Sequence, residues 1–316
     1  MLEQEQIVKE RKTERILVTG ASGFIGSRLV KTLLKHGYTV GGIDITQQRV
    51  LGDRYQHFNT DFTKYSEIYR AIKFFKPTIV YHLGAIANLN YARAYPKRTV
   101  EVNVMGTANI ADVCAKENIL LNFVSSCCVY GHTPDHPSKE DARKRPAEIY
   151  GCTKLAAEQV ILGYHQLYGL QYNIVRPSTV YGEGMRSALA VYIFIEKALK
   201  GERLPIHGTG KQTRCFIYVD DLVDGLLRLI TSGVTNEVFN MAGAEELSVL
   251  ELATKVIDLV GDGDLEFVAD RPCQVMKEQI DISKARQILG WEPKTQIDEG
   301  LVKALRWMRE KECLKK

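Results

Sequence analysis

The chain has 316 residues, 45% of them hydrophobic and 25% charged, which is the make-up of an ordinary folded protein. That length suits one large α/β domain or two modest ones, and excludes a disordered tail, a collagen-like repeat or a coiled coil. A formal net charge of +4 is too slight for the clustered basic face that nucleic acid requires. No apolar stretch reaches the ~20 residues of a membrane span. Seven cysteines, scattered without metal-ligand spacing, suggest reduced thiols and no metal. The expectation is a soluble cytoplasmic protein. Residues 1–14 lack an apolar core and read as a flexible lead-in, not a secretory signal.

In chain order, Arg15-Ile16-Leu17-Val18-Thr19-Gly20 is a short apolar run closed by glycine, which predicts a buried parallel strand. Phe24, Ile25, Leu29, Val30, Leu33 and Leu34 then recur at helical spacing up to His36, and Gly37 stops the helix. A strand follows over Thr39–Asp44. Further strands are predicted at 77–82, 120–125 and 171–176, with helices at about 65–75, 99–117 and 150–168. This alternation predicts an α/β fold, a Rossmann-type doubly wound parallel sheet, over 15–177. After Pro177 the texture changes to glycine-rich turns and shorter elements. Residues 178–316 therefore read mainly as a smaller C-terminal α/β substrate-binding region, with 215–243 returning to the first domain through a strand at Glu237–Met241.

Thr19-Gly20-Ala21-Ser22-Gly23-Phe24-Ile25-Gly26 sets glycines at intervals of three between the first strand and the first helix. Gly20, Gly23 and Gly26 suit a tight turn, a close approach of pyrophosphate to the backbone, and close packing of helix on strand. The helix N-terminus then presents unpaired N–H groups and a positive dipole end to phosphate. Asp44 ends the second strand, eighteen residues beyond Gly26. A carboxylate there accepts hydrogen bonds from the adenosine ribose hydroxyls and repels a 2′-phosphate, which favours NAD over NADP. Arg49 stands close by in sequence.

Tyr150 and Lys154 are four apart at the start of a predicted helix and so share one face. Ser126 ends the strand at 120–125, where ligands gather outside the carboxyl ends of a parallel sheet. A free phenol, with a pKa of about 10, is a poor base at neutral pH. A lysine ammonium, assisted by a positive nicotinamide ring, favours the phenolate. The phenolate then takes the proton of a substrate alcohol while hydride leaves for the cofactor, with Ser126 holding the same oxygen.

With these motifs in hand, the sequence resembles the extended short-chain dehydrogenase/reductase family, in its nucleotide-sugar epimerase/dehydratase branch. Besides TGASGFIG and YGCTK, the matching stretches are Asp61-Phe62, Tyr81-His82-Leu83-Gly84-Ala85 and Asn103-Val104-Met105-Gly106-Thr107. SSCCVYG (125–131), RPSTVYG (176–182), HGTGKQTRCFIYVDD (207–221) and DISKA (281–285) extend the match. The resemblance implies that Phe24, Ile25 and Pro177 lie beside the dinucleotide. It puts Asp61 and Phe62 near the adenine, lines the cofactor cleft with Leu83, Gly84 and Ala85, and gives Asn103 the anchoring of the helix beside the active site. Arg214 and Arg271 resemble arginines that grip a nucleotide diphosphate, with a UDP-sugar favoured. Thr179 and Glu278 fall where relatives border the sugar. The helices at 99–117 and 150–168 correspond to those that form a four-helix homodimer interface in relatives.

Departures narrow the implied activity. Cys127 and Cys128 stand where dehydratases and decarboxylases of this kind carry an acidic residue, and thiols are poor acids for a leaving hydroxyl. Cys215 replaces a common aspartate, Cys273-Gln274 a Gly-Asp pair, and an acid at Glu278 disfavours an acidic sugar. The reading that remains is an NAD-dependent epimerase acting at a hydroxyl-bearing carbon, position 4, through a transient ketone. Its competitors are an NAD(P)H-dependent reductase of a keto-sugar nucleotide, then a dehydratase, and from another class a non-catalytic NAD sensor.

Overall fold

A computed structural model describes residues 14–46 and 52–313; the lead-in before residue 14 and Arg49 lie outside them. The chain divides into two compact units. One comprises the residues through Val129 with Glu148–Arg176 and Val223–Phe239, and the other Tyr130–Ala147, Pro177–Leu222 and Asn240 onward.

The first unit carries the expected doubly wound α/β sheet. Its strands are β1 (Arg15–Thr19), β2 (Thr39–Asp44), β3 (Tyr55–Asn59), β4 (Ile79–His82), β5 (Leu120–Val124) and β6 (Tyr172–Pro177). With β10 (Glu237–Met241) at one edge, the order is β10-β6-β5-β4-β1-β2-β3. Neighbours from β1 to β6 pair in parallel. The chain winds outward from β1 to β2 and β3, then crosses back to β4, so β1 and β4 flank a topological switch point. Ligands of such sheets bind outside the carboxyl ends of the strands at this point. Helices α1 (Phe24–Lys35), α2 (Tyr65–Phe75), α3 (Leu89–Ala94), α4 (Pro96–Val100), α5 (Gly106–Lys116) and α6 (Ile149–Tyr168) connect the strands. Leu17, Ile43, Phe75, Val80, Phe123 and Ile161 anchor the core. Each such side chain contributes on the order of 1.5–3 kcal/mol by leaving water.

Two elements differ from the sequence reading. Strand β3 has no apolar alternation: Tyr55, His57 and Phe58 are all half-buried, as suits an edge strand whose register with β2 (Val40 opposite Tyr55) fixes it. The helix expected over 99–117 is α4, then a wide π turn over Glu101–Met105, then α5. Such single π turns are local insertions that favour functional sites.

The second unit holds a three-stranded sheet of β7 (Thr179–Tyr181), β9 (Thr213–Tyr218) and β11 (Glu246–Ser248), and a pair of β8 (Arg203–His207) with β12 (Asp264–Val268). Because β9 pairs with β7 and β11, the segment through Leu222 stays in this unit and the chain rejoins the first one only from Val223. Residues 130–147 also belong here. Asn240, fully buried, accepts from Tyr130 Oη (2.6 Å) and donates to the carbonyls of Ser138 and Asp281 (3.0 Å each). Trp291, also fully buried, donates its indole N–H to the Asp221 carbonyl (2.9 Å). Among the described residues no helix is long and apolar enough to cross a membrane.

Candidate active site

The glycine loop is built by backbone contact. Gly20 sits in the left-handed region (φ +68°), where a side chain is strained, and a Cβ on it would come within 2.8 Å of the Gly84 nitrogen. Its N–H and that of Ala21 donate to the Ile43 carbonyl (2.8 and 3.3 Å), and the Gly23 N–H closes the turn on the Gly20 carbonyl (3.0 Å). A Cβ on Gly26 would lie 2.0 Å from that same carbonyl oxygen, so only glycine lets α1 start this close to β1. Helix α1 has no side-chain cap and no acid in its first turn. The N–H groups of Phe24 and Ile25 therefore stand in the first turn, which has no intrahelical acceptor, at the positive end of the dipole. This is a cradle for an anion such as pyrophosphate.

Asp44 closes the mouth of the loop. Its carboxylate accepts from the N–H groups of Ser22 (3.0 Å) and Thr46 (2.9 Å), fixing it at the end of β2. The nearby Tyr55 phenol is pushed up to about 12 by burial and by the Asp44 charge. Asp61 serves its own turn: it accepts from the Thr63 N–H (2.9 Å) and hydroxyl (2.8 Å) and pairs with Arg98 (3.5 Å). Burial works to raise its pKa, but these partners outweigh it and hold the carboxyl below the usual range. The Phe62 ring turns inward, edge-on to His82 (5.2 Å between centroids), and fills the space beside Gly84 and Gly106.

On the β4 side, Leu83 N–H bonds the Thr19 carbonyl (3.3 Å) and Gly84 N–H the Thr19 hydroxyl (3.1 Å), so Leu83, Gly84 and Ala85 begin a loop laid against the glycine turn. Asn103, carried on the π turn, pins that loop's far end: it accepts from Ile86 N–H (2.8 Å) and donates to the Ile86 carbonyl (3.0 Å). It also donates to Thr153 Oγ1 (3.0 Å), whose hydroxyl donates to the Tyr150 carbonyl (2.8 Å). One amide thus couples the cleft loop to the first turn of α6.

Ser126 follows β5 with only 9% of its surface exposed, and its Oγ accepts from the Cys128 N–H (3.1 Å). Tyr150 is the second residue of α6 and is half-buried; Lys154 lies one turn on, along the same face, and is buried. The Lys154 ammonium donates to the Val124 carbonyl (2.8 Å), two residues before Ser126, and stands 4.6 Å over the Phe123 ring. Burial pushes its pKa down to about 7, against the opposing pull of Glu158. Cys127 is packed away, its thiol donating to the Arg176 carbonyl (3.2 Å).

In the second unit, Pro177 ends β6 and Thr179 opens β7 opposite Phe216. Arg214 donates from one nitrogen to the carbonyls of Thr213 (2.6 Å) and Val275 (2.9 Å). Glu278 is brought beside it. The Glu278 N–H reaches Thr213 Oγ1 (3.4 Å), and its carboxyl Oε1 is enclosed with no hydrogen-bond partner. Burial raises that carboxyl's pKa while Arg214 opposes the rise. Arg271 is exposed, on the turn started by Asp270.

Among the buried polar residues not singled out from the sequence are His82, Glu158 and Arg176. Their signal was a charged or ionisable residue inside an apolar run (IVYH, NIVRP) or at core spacing on a helix.

Comparison with known proteins agrees with this geometry. The model of the NAD dependent epimerase/dehydratase family matches residues 16–242. The chain is 32% identical over 311 residues to UDP-glucose 4-epimerase of Mycolicibacterium smegmatis, covering 94% of this chain and 99% of that protein. It is equally 32% identical over 304 residues to UDP-glucuronic acid decarboxylase 6 of Arabidopsis thaliana, covering 91% and 86%. Among solved structures, Thermotoga maritima UDP-glucose 4-epimerase with UDP-glucose is similar at a TM-score of 0.88 and 29% identity, over 94% of this chain and 99% of that one. Bacillus cereus UDP-glucuronic acid 4-epimerase, in complex with UDP-glucuronic acid and NAD, matches with the same score, identity and coverage. The uncapped glycine loop and the Asp44 carboxylate fit NAD, the cofactor of the matched family.

Proposed function

We propose that this chain, which belongs to the NAD dependent epimerase/dehydratase family, is an epimerase that inverts the hydroxyl-bearing carbon at position 4 of a nucleotide-diphosphate sugar. The observation that carries the reading is the buried Lys154 ammonium, fixed on the Val124 carbonyl two residues before Ser126 and carried on the same helix face as Tyr150, one turn away. NAD, when bound, supplies a reversible two-electron acceptor for hydride. The chain's own residues handle the proton. Lys154 stabilises the Tyr150 phenolate by opposite charge. The phenolate takes the proton of the sugar hydroxyl as the carbon becomes a ketone, and returns it when the carbon is reduced from its other face. Ser126 Oγ orients that oxygen throughout. The hydride that leaves the carbon would return to it and the proton goes back to the same oxygen, so no net oxidant or reductant is needed.

Asp44 and the N-terminus of α1 hold the ribose and pyrophosphate of the cofactor. Arg214 and Arg271 take the substrate diphosphate, with Thr179 and Glu278 at the sugar. A UDP-sugar is favoured because the relatives named above act on UDP-sugars or bind them. Cys127 and Cys128 after Ser126 support inversion over dehydration or decarboxylation, since neither thiol replaces a carboxylic acid. Exposed Val100 and Met105, in the 99–117 segment, support pairing of two copies through that segment and α6.

The test is incubation of the purified protein with UDP-, dTDP-, GDP- and CDP-sugars, without added NADH, following the stereocentre by NMR. Inversion of at least one sugar is expected. No inversion of any of them, or turnover only with stoichiometric consumption of added NADH, overturns the reading.

A further inference from the structure

Beneath the reacting residues lies a charge pair that the proton transfer does not use. Glu158, 1% exposed on α6, and Arg176, 4% exposed on β6, form a two-pronged contact: Nε to Oε1 at 3.0 Å and Nη2 to Oε2 at 2.7 Å. Ser125 donates its hydroxyl to the same Oε1 at 2.5 Å. Burying both charges gains little stability on balance, because desolvation roughly offsets their attraction. Well-packed apolar residues of the same volume are often as good or better. What the pair does supply is geometry. A bidentate guanidinium–carboxylate contact holds both partners in one orientation.

The geometry points to Glu158 and Arg176 as positioning residues for the reaction at Ser126, Tyr150 and Lys154, an inference that rests on the proposed function. Glu158 lies one helical turn beyond Lys154 and two beyond Tyr150, so fixing its carboxylate fixes the rotation of α6. Ser125, bonded to that carboxylate, is the residue before Ser126, and its N–H is bonded to the Val175 carbonyl (2.7 Å), one residue before Arg176. Helix α6, β5 and β6 are thus tied together at the residue before Ser126 and one helical turn from Lys154.

The pair also sets the charge around Lys154. The groups acting on the ammonium are Glu158 on α6, the neutral His82 on β4, and the Phe123 ring and Val124 carbonyl of β5, with Tyr150 one helical turn before it on α6. Arg176 on β6 acts through Glu158. Glu158 favours the ammonium, and its carboxylate is shared with Arg176 and Ser125, whose positive guanidinium and hydroxyl draw on the same charge. Removing each partner therefore moves Lys154 in opposite directions. Glu158→Gln lowers its titration point and Arg176→Met raises it.

Two readouts test this. The first is 13C NMR titration of Lys154 Cε in 13C-lysine protein, assigned with Lys154→Met. The expected result is displacement down in Glu158→Gln and up in Arg176→Met, with the alkaline limb of the kcat profile following. The second is the double variant Glu158→Met/Arg176→Met, which keeps volume and removes both charges. It is expected to fold and retain NAD, with KM near wild type and kcat lowered about 10- to 100-fold by misplacement of the reacting groups. A folded double variant with wild-type kcat, or single variants whose Lys154 titration does not move apart, overturns the proposal. If no nucleotide sugar is turned over by the wild type, the proposed function falls by itself, and the Lys154 titration still decides whether the pair governs that amine.

Discussion

His82 shows how much one buried side chain can organise. Its Nδ1 lies 2.6 Å from the Thr19 hydroxyl and its Nε2 3.0 Å from that of Thr107. Thr107 already donates to the Asn103 carbonyl (2.6 Å), so it must accept from Nε2–H; Thr19, which accepts the Gly84 N–H, donates to Nδ1. The ring is therefore the neutral Nε2–H tautomer, joining the glycine loop to the Asn103 turn. Burial, and then the Lys154 charge, pushes its pKa down to about 3. Between that value and the unfolded one of about 6.5, the unfolded chain binds the extra proton. The stability contributed by neutral His82 is thus lost as pH falls through this window. Urea unfolding from pH 6.5 to 4.5 should lose stability more steeply in the wild type than in His82→Asn, whose amide still accepts from Thr19 and donates to Thr107. The difference is bounded at about 1.4 kcal/mol per pH unit for one proton. Parallel slopes would assign the acid sensitivity elsewhere. That Tyr150 and Lys154 share one helix face was legible in the sequence, because four-residue spacing at a helix start puts them there. Glu158 and Arg176 were not, because a charge at helical spacing looks the same whether solvated or paired in the core.

At the scale of elements, the unit β1–glycine loop–α1 was readable because each part is locally determined: a short apolar run, glycines at fixed offsets, and an amphipathic helix closed by Gly37. Strand β3 was not, since an edge strand owes its state to pairing with β2 and carries no alternation of its own. The π turn escaped for a related reason: one inserted residue within 99–117 barely disturbs a helical period, yet it is what carries Asn103. The close packing of α1 on the loop gives a direct check. Gly26→Ala places a methyl 2.0 Å from the Gly20 carbonyl oxygen, and backbone cannot yield as a flexible side chain does. The expected cost is about 1–3 kcal/mol, typical of overpacking, with loss of bound NAD. Both are measurable as thermal unfolding and as nucleotide released on denaturation. A variant that melts like the wild type and keeps its NAD would remove the loop from the cofactor site.

For the whole molecule, the residues singled out from the sequence fall in both units. The first unit contains Asp44, Ser126, Tyr150 and Lys154, while Thr179, Arg214, Arg271 and Glu278 belong to the second. The sequence foretold the first unit's sheet but not that residues 130–147 join the second. That choice is made by long-range bonds, Tyr130 to Asn240 and Ser138 to Asp281, which leave no local trace. The account stands on the phenol of Tyr150 acting as the base at the sugar hydroxyl. The most direct measurement is turnover of the inverted sugar by Tyr150→Phe, alongside its bound NAD. The account predicts a loss of about 10²- to 10⁴-fold in kcat, the range for a general acid–base group, with NAD content unchanged. A variant that holds NAD and still inverts the sugar within a few-fold of the wild-type rate would contradict it.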